Sequence, residues 1–299
     1  MNIYAALALC FVPLIIIFFF VRRFAQTGII LCLYAVLLGL LAVAPISILQ
    51  FYAADIPFLN SDHWITQLLR AVLFNGLIEE FIKIIFMLFL PSKRLSLGKF
   101  FLCACICGMS LGCFESAIYF LQHLQQANTI GAHLIYAQIF TRMFTSDAVH
   151  TLCAGLGALF IRSIKRMRID IAAVLFAPLI HGLYDFFALY DDFKWFSAAA
   201  ILFLAVQCRI GYTSQAEEKS AGEKIAEKTE IKRTTKNKIE GEKSQKSSKG
   251  AAGTGKIPKE KKAAGKSIKQ EKKESLKKDT KRKSDTKQLK IRQIEHNAD

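Results

Sequence analysis

The sequence predicts an all-α protein, a polytopic bundle of transmembrane helices with a basic C-terminal tail. Three observations carry that prediction. Hydrophobic residues make up 53% of the 299 residues although the tail is nearly devoid of them, so the remainder is far more apolar than a soluble domain. Apolar runs recur at about 20 residues, the length that crosses ~30 Å of hydrocarbon. Lysine and arginine gather in alternate connections between those runs.

The first run, near 3–21, is not a cleavable signal: no positive charge precedes it, Arg22 and Arg23 follow it, and no small-residue cleavage site intervenes. The second, near 28–50, carries no charge. The third, 64–90, opens at Trp64 and contains Glu79, Glu80 and Lys83. The fourth, 99–122, holds "CACIC" at 103–107 and Glu115. The fifth, 133–162, carries Arg142, Asp147 and His150; the sixth, 170–190, carries His181 and Asp185. The last, 193–210, is short, which makes seven spans, or six without it. All eight cysteines fall inside spans. On a helix Cys103 and Cys107 share a face while Cys105 diverges by roughly 200°, so these are read as small packing residues, not a metal cluster.

Arg22 and Arg23, the "PSKR" loop, "RSIKRMR" (Arg162–Arg168) and Arg209 with the tail all follow odd-numbered spans, whereas "FYAADIPFLNSDH", "HLQQANTIGAH" and "YDDF" carry no Lys or Arg. The positive-inside bias therefore predicts an external N-terminus and a cytoplasmic C-terminus. Trp64 and Trp195 sit at outer ends of their spans, where an indole suits the headgroup region. The expected organisation is a membrane domain over 1–210 and a disordered tail over 211–299. That tail holds 26 Lys and Arg against 14 Asp and Glu, a net of +12. Such a segment builds no core and attracts anionic lipid headgroups. Without aromatic residues among the lysines it offers no stacking platform for bases, so no specific nucleic-acid role is expected.

Ionisable groups inside spans are costly and mark function by default. Here they belong to four consecutive spans. Counting from each span's cytoplasmic end, Glu80 lies ten residues above Leu90, His150 twelve above Arg162 and His181 eleven above Asp170. At ~1.5 Å per residue all three sit near the midplane, about 15–18 Å deep. Asp185 and Glu115 fall somewhat further out, near ~22 and ~24 Å, and Arg142 near ~30 Å, where it reads as a snorkelling or structural residue. The bland alternative is that Glu79 and Lys83, one turn apart, neutralise each other, and that each histidine is an interhelical hydrogen-bonding group. Two histidines at one depth among several carboxylates favour a polar functional site. His181 and Asp185, at i and i+4, share one face.

The motifs "EEFIK" (Glu79–Lys83), "FESAIY" (Phe114–Tyr119), "RMFTSDAVH" (Arg142–His150) and "HGLYD" (His181–Asp185) resemble, in order and on successive spans, the motif series of the PrsW family of intramembrane proteases. That family is distantly similar to the CAAX prenyl endopeptidases and bacteriocin-processing proteins. The resemblance covers about residues 60–190. It implies hydrolysis of a peptide bond of a membrane-anchored protein, such as an anti-sigma factor, in the cytoplasmic membrane if the chain is bacterial. It also implies Glu79 or Glu80 as general base, with Glu115, His150, His181 and Asp185 completing the catalytic set. Asp185 stands where the CAAX relatives have Asn as an oxyanion donor, and Glu115 where they have His.

Two mechanisms stay open. In one, His150, His181 and either Glu115 or Asp185 hold a zinc ion and Glu79 is the base; in the other, glutamate and histidine activate water without metal. Burial and a nearby Lys83 act in opposite senses on a carboxylate's proton affinity, a combination able to tune a base. The rival classes are a proton- or ion-coupled transporter, for which intramembrane Glu and His are equally characteristic, and an inactive protease-like scaffold. No internal repeat of the kind carriers often show is present, and Pro178 is the sole proline in the charged spans.

Overall fold

The computed structural model describes residues 2–54, 56–57, 61–124, 131–164 and 171–248. The loop at 125–130, the basic stretch 165–168 and the chain beyond Ser248, on which parts of the orientation and tail expectations rest, lie outside the described residues. The described chain is helical and contains no strand. In hydrocarbon each backbone N–H and C=O must be paired within its own segment, which a helix achieves.

The Asn2 side chain caps α1 (Ile3–Cys10) by accepting from the Tyr4 and Ala5 amides; the helix breaks at Phe11 and restarts as α2 (Val12–Phe24), with proline in its first turn. Helix α3 (Ile29–Ala54) contains Pro45. Next, α4 (Trp64–Arg70), a π-helical segment (Ala71–Leu77) and α5 (Ile78–Met87) follow without interruption. Then come α6 (Leu97–His123), α7 (Ala132–Phe144), α8 (Ser146–Ile164), α9 (Ile171–Ala188), a 3₁₀ turn (Asp191–Phe193) and α10 (Lys194–Ser248).

Among the described residues, five helical stretches are long and apolar enough to cross a membrane: Ile3–Phe24, Ile29–Ala53, Leu97–His123, Ala132–Ile164 and Trp195–Ile231. The remaining two expected spans are helical as well. One, Trp64–Met87, is diluted by Arg70, Glu79, Glu80 and Lys83; the other has a shorter apolar part, Val174–Ala188. The outer surface is apolar, with Ile16, Phe19, Leu37 and Phe81 exposed, whereas Lys83, Asp147, His150 and His181 are buried. That inversion suits a lipid solvent.

Glycines let the backbones approach where the polar helices cross. A Cβ at Gly76 would collide with the Pro178 carbonyl, and one at Gly182 with the Val72 backbone, so the π-helical segment and α9 pack main chain to main chain. A Cβ at Gly108 would collide with the His150 carbonyl, and one at Gly39 with the Cys107 carbonyl, bringing α8 and α3 onto α6. Cys103 and Cys107 lie in one core cluster with Phe100, Met87 and Ala154, and Cys105 is buried outside it.

Helix α10 continues through the composition change at 211, as Glu- and Lys-rich sequence with few helix breakers can. Its first turns beyond that point still pack on the bundle. Tyr212 meets Phe101 edge to face, and Gln215 Nε2 donates to the Leu159 carbonyl at 2.8 Å. The chain divides into two compact units, Met1–Glu227 and Lys228–Asp299, the described part of the second being helical to Ser248.

Candidate active site

Adjacent residues on a helix point about 100° apart, and Glu79 and Glu80 use that difference. Glu80 is buried at 1% exposure and its Oε1 accepts from Lys83 Nζ at 2.6 Å and from His181 Nδ1 at 2.7 Å. The lysine thus pairs with Glu80, one turn earlier on the same helix, and not with Glu79 as the i,i+4 spacing had allowed. Glu79 turns instead toward α3, where Gln50 Nε2 donates to its Oε1 at 2.7 Å. Its other oxygen, Oε2, is buried and has no hydrogen-bond partner among the described residues.

That oxygen faces both histidines, at 3.9 Å from His150 Nδ1 and 3.7 Å from His181 Nε2. The two rings meet edge to face with centroids 4.7 Å apart. Each is fixed by a carboxylate on its far nitrogen: His181 Nδ1 by Glu80, and His150 Nε2 by Glu115 Oε2 at 2.5 Å. In a neutral imidazole, a ring nitrogen that gives its hydrogen to a carboxylate leaves the other as a lone pair. In both rings that second nitrogen points toward Glu79. On His150 the lone pair is also met by Lys83 Nζ, at 3.2 Å.

Glu115 is held in turn by Arg142, whose Nη2 donates to Glu115 Oε1 at 3.0 Å and to Ser146 Oγ at 3.1 Å while its guanidinium lies over the Tyr119 ring. The sequence read Arg142 as peripheral from its depth, but the long side chain reaches inward to the site. Asp185 Oδ2 is 3.8 Å from His181 Nε2. Asp147 is fully buried and turned elsewhere, accepting from Ser116 Oγ at 2.9 Å. A cavity of about 530 Å³ opens beside the cluster, and Gln50, Asn75, Glu79, Glu115, Arg142 and Asp185 are among its lining residues. Glu79, Glu80, Glu115, His150, His181 and Asp185 thus converge from α5, α6, α8 and α9.

Gln50 and Asn75 were not singled out from sequence. Gln50 left a usable signal, being the single carboxamide and having no charged companion in the run 29–54. Asn75 lies on the π-helical segment, a distortion that periodicity does not reveal and that often marks functional sites.

Among the described residues, two groups of side chains have ligand atoms close enough to share a metal ion, Glu79–His150–His181 and Glu80–Cys153–His181. The first fits a catalytic metal by chemistry. It offers two imidazoles each oriented by a carboxylate, a carboxylate oxygen with no other partner, and an adjoining cavity. In the second, the Glu80 oxygen is already committed to Lys83 and His181.

No curated protein and no solved structure matches the chain. Residues 27–208, more than half of the chain and inclusive of every residue of the cluster, match the family model of the PrsW family intramembrane metalloproteases, and the chain belongs to that family.

Proposed function

We propose that the chain is an endopeptidase that hydrolyses a peptide bond of a membrane-anchored protein, of which an anti-sigma-factor-like regulator is one example, at the Glu79–His150–His181 cluster. The observation that carries this reading is the bare Glu79 Oε2, buried, aimed at two oriented imidazoles and bordering a polar cavity. Glu79 is the general base: its carboxylate takes a proton from the water whose oxygen adds to the scissile carbonyl carbon. It returns that proton to the amide nitrogen as the C–N bond breaks. Gln50 holds Glu79 by one oxygen so that the other stays free. Glu80 orients His181, while Arg142 and Glu115 orient His150. Asp185, 3.8 Å from His181 Nε2, is the hydrogen-bond donor to the developing oxyanion in this reading, a role that requires its protonated form.

Glu79, His150 and His181 are also the residues that would hold a zinc ion, with Asp185 then the carboxylate left to carry protons. A zinc ion so held supplies Lewis acidity and lowers the pKa of its water to about 7. The placement we propose in the membrane is seven spans with the N-terminus outside and the tail in the cytoplasm, near anionic lipid. Alternation of the basic connections supports it.

The test uses the purified full chain in liposomes with a single-pass helical substrate. Fragment masses that define one cut, with a pH gradient left standing, are the expected result. Dissipation of the gradient with the substrate intact would replace the protease reading by a carrier.

A further inference from the structure

Lys83 is fully buried, at 0% exposure. Its Nζ meets two groups, Glu80 Oε1 at 2.6 Å and His150 Nδ1 at 3.2 Å. An ammonium offers only hydrogens, so the His150 contact spends the ring's Nδ1 lone pair. The other ring nitrogen is already committed to Glu115. His181 is built alike, its Nδ1 given to Glu80 and its Nε2 turned toward Glu79, but no lysine or arginine contacts that Nε2 among the described residues. Of the two ring nitrogens that Glu79 faces, His181 Nε2 lies beside carboxylates alone, Glu79 and Asp185, and His150 Nδ1 is covered by a cation belonging to the protein.

A metal needs both lone pairs, and an ammonium 3.2 Å from Nδ1 stands on the approach to one of them. We propose that Lys83 is a resident cation that competes with metal for His150: it covers His150 Nδ1 when the site is metal-free and must release it for the site to load. The lysine stem is flexible and Glu80 is an independent anchor. Release therefore requires only that Nζ swing off the imidazole while keeping its 2.6 Å bond to the carboxylate. In the metal-free protein Lys83 supplies positive charge beside three converging glutamates. Loading replaces that neutralisation at His150 by the metal's own charge. The inference rests on the reading that Glu79, His150 and His181 are a ligand set, and it adds that occupancy is set by exchange with an internal cation.

The test is zinc affinity, measured on the full chain in detergent by competition with a chromogenic chelator. Lys83→Met is expected to bind one zinc about tenfold or more tighter than wild type, the scale on which neighbours of metal ligands act, and His150→Ala should abolish the gain. Lys83→Met also leaves Glu80 buried without its cation. A second pair therefore compares Glu80→Gln, which keeps the lysine, with the Glu80→Gln/Lys83→Met double variant, which is free of that uncompensated charge. The double variant should bind zinc tighter than Glu80→Gln by a similar factor. Equal affinity within both pairs overturns the proposal, as does a gain in the first pair that vanishes in the second, since charge alone would then explain it. Absence of stoichiometric zinc from every variant overturns the competition and the ligand set together. The liposome cleavage assay then reports separately whether the protease reading stands.

Discussion

Glu79 and Glu80 divide the work of one motif because a single helical step gives them different neighbours. Glu80 is engaged by Lys83 and His181 through one oxygen, whereas Glu79 keeps an oxygen without a hydrogen-bond partner among the described residues. Glu79→Gln should therefore lower cleavage by about a hundredfold or more, the lower end of general-base contributions. His150→Ala and His181→Ala should do the same while membrane insertion and detergent-extracted yield stay near wild type. Any two of these changes together should cost little more than one, as for groups acting as a unit. Full cleavage by both histidine variants would remove the site from this cluster. Asp185→Asn separates two roles: retained activity marks a hydrogen-bond donor, and complete loss marks an essential carboxylate. Much of this was legible in the sequence, because intramembrane charge is rare enough that Glu79, Glu80, Glu115, His150, His181 and Asp185 stand out unaided. The partners were not legible. Whether Lys83 pairs with the glutamate three or four residues before it depends on the surrounding helices, and Arg142 is misread when depth is counted at the backbone of a long side chain.

At the scale of elements, the cluster exists because glycines remove side chains where two helix pairs cross. Gly76 and Gly182 seat α9 on the π-helical segment, carrying His181 to Glu80, and Gly108 seats α8 on α6, carrying His150 to Glu115. Valine at Gly76, Gly182 or Gly108 should destabilise the detergent-solubilised protein by about 1–3 kcal/mol, the cost of overpacking, and depress cleavage further by separating the reacting groups. Thermal unfolding and the cleavage assay read the two effects. Gly28→Ala, where an added Cβ would meet nothing within 4 Å, is the control expected to stay close to wild type. Wild-type stability in all three valine variants would show that these crossings have slack. The length of the apolar runs predicted the helical spans that carry the site. It did not predict the break at Thr145 between α7 and α8 or the π-helical segment, since an apolar run looks the same whether its hydrogen bonds span four residues or five.

At the scale of the whole molecule, charge is segregated between the bundle, where Glu80 holds Lys83 and Glu115 holds Arg142, and the tail, with its net of +12. Alternation of basic connections predicts that a reporter fused after Arg168 will be cytoplasmic and one fused between Gln122 and His133 external; an external Arg168 fusion would overturn the span count. The tail's work is separable from hydrolysis if the boundary is placed correctly. A cut at the composition change would remove Tyr212 and Gln215, which pack against Phe101 and bond the Leu159 carbonyl, and so would loosen α6 and α8 behind His150. A cut at 227/228 falls where the two compact units divide. Deleting 228–299 should therefore leave cleavage in detergent within about twofold of the full chain, as expected for a change that touches no group of the reacting set. Deleting 211–299 should lower both activity and thermal stability. On vesicles, removing the lysines weakens attraction to anionic lipid, worth about 1 kcal/mol per basic residue near the surface. The advantage of the full chain over the 228–299 deletion on anionic vesicles should shrink as salt is raised and vanish on neutral ones. Loss of cleavage in detergent on deleting 228–299 would instead make the second unit part of the catalytic machinery.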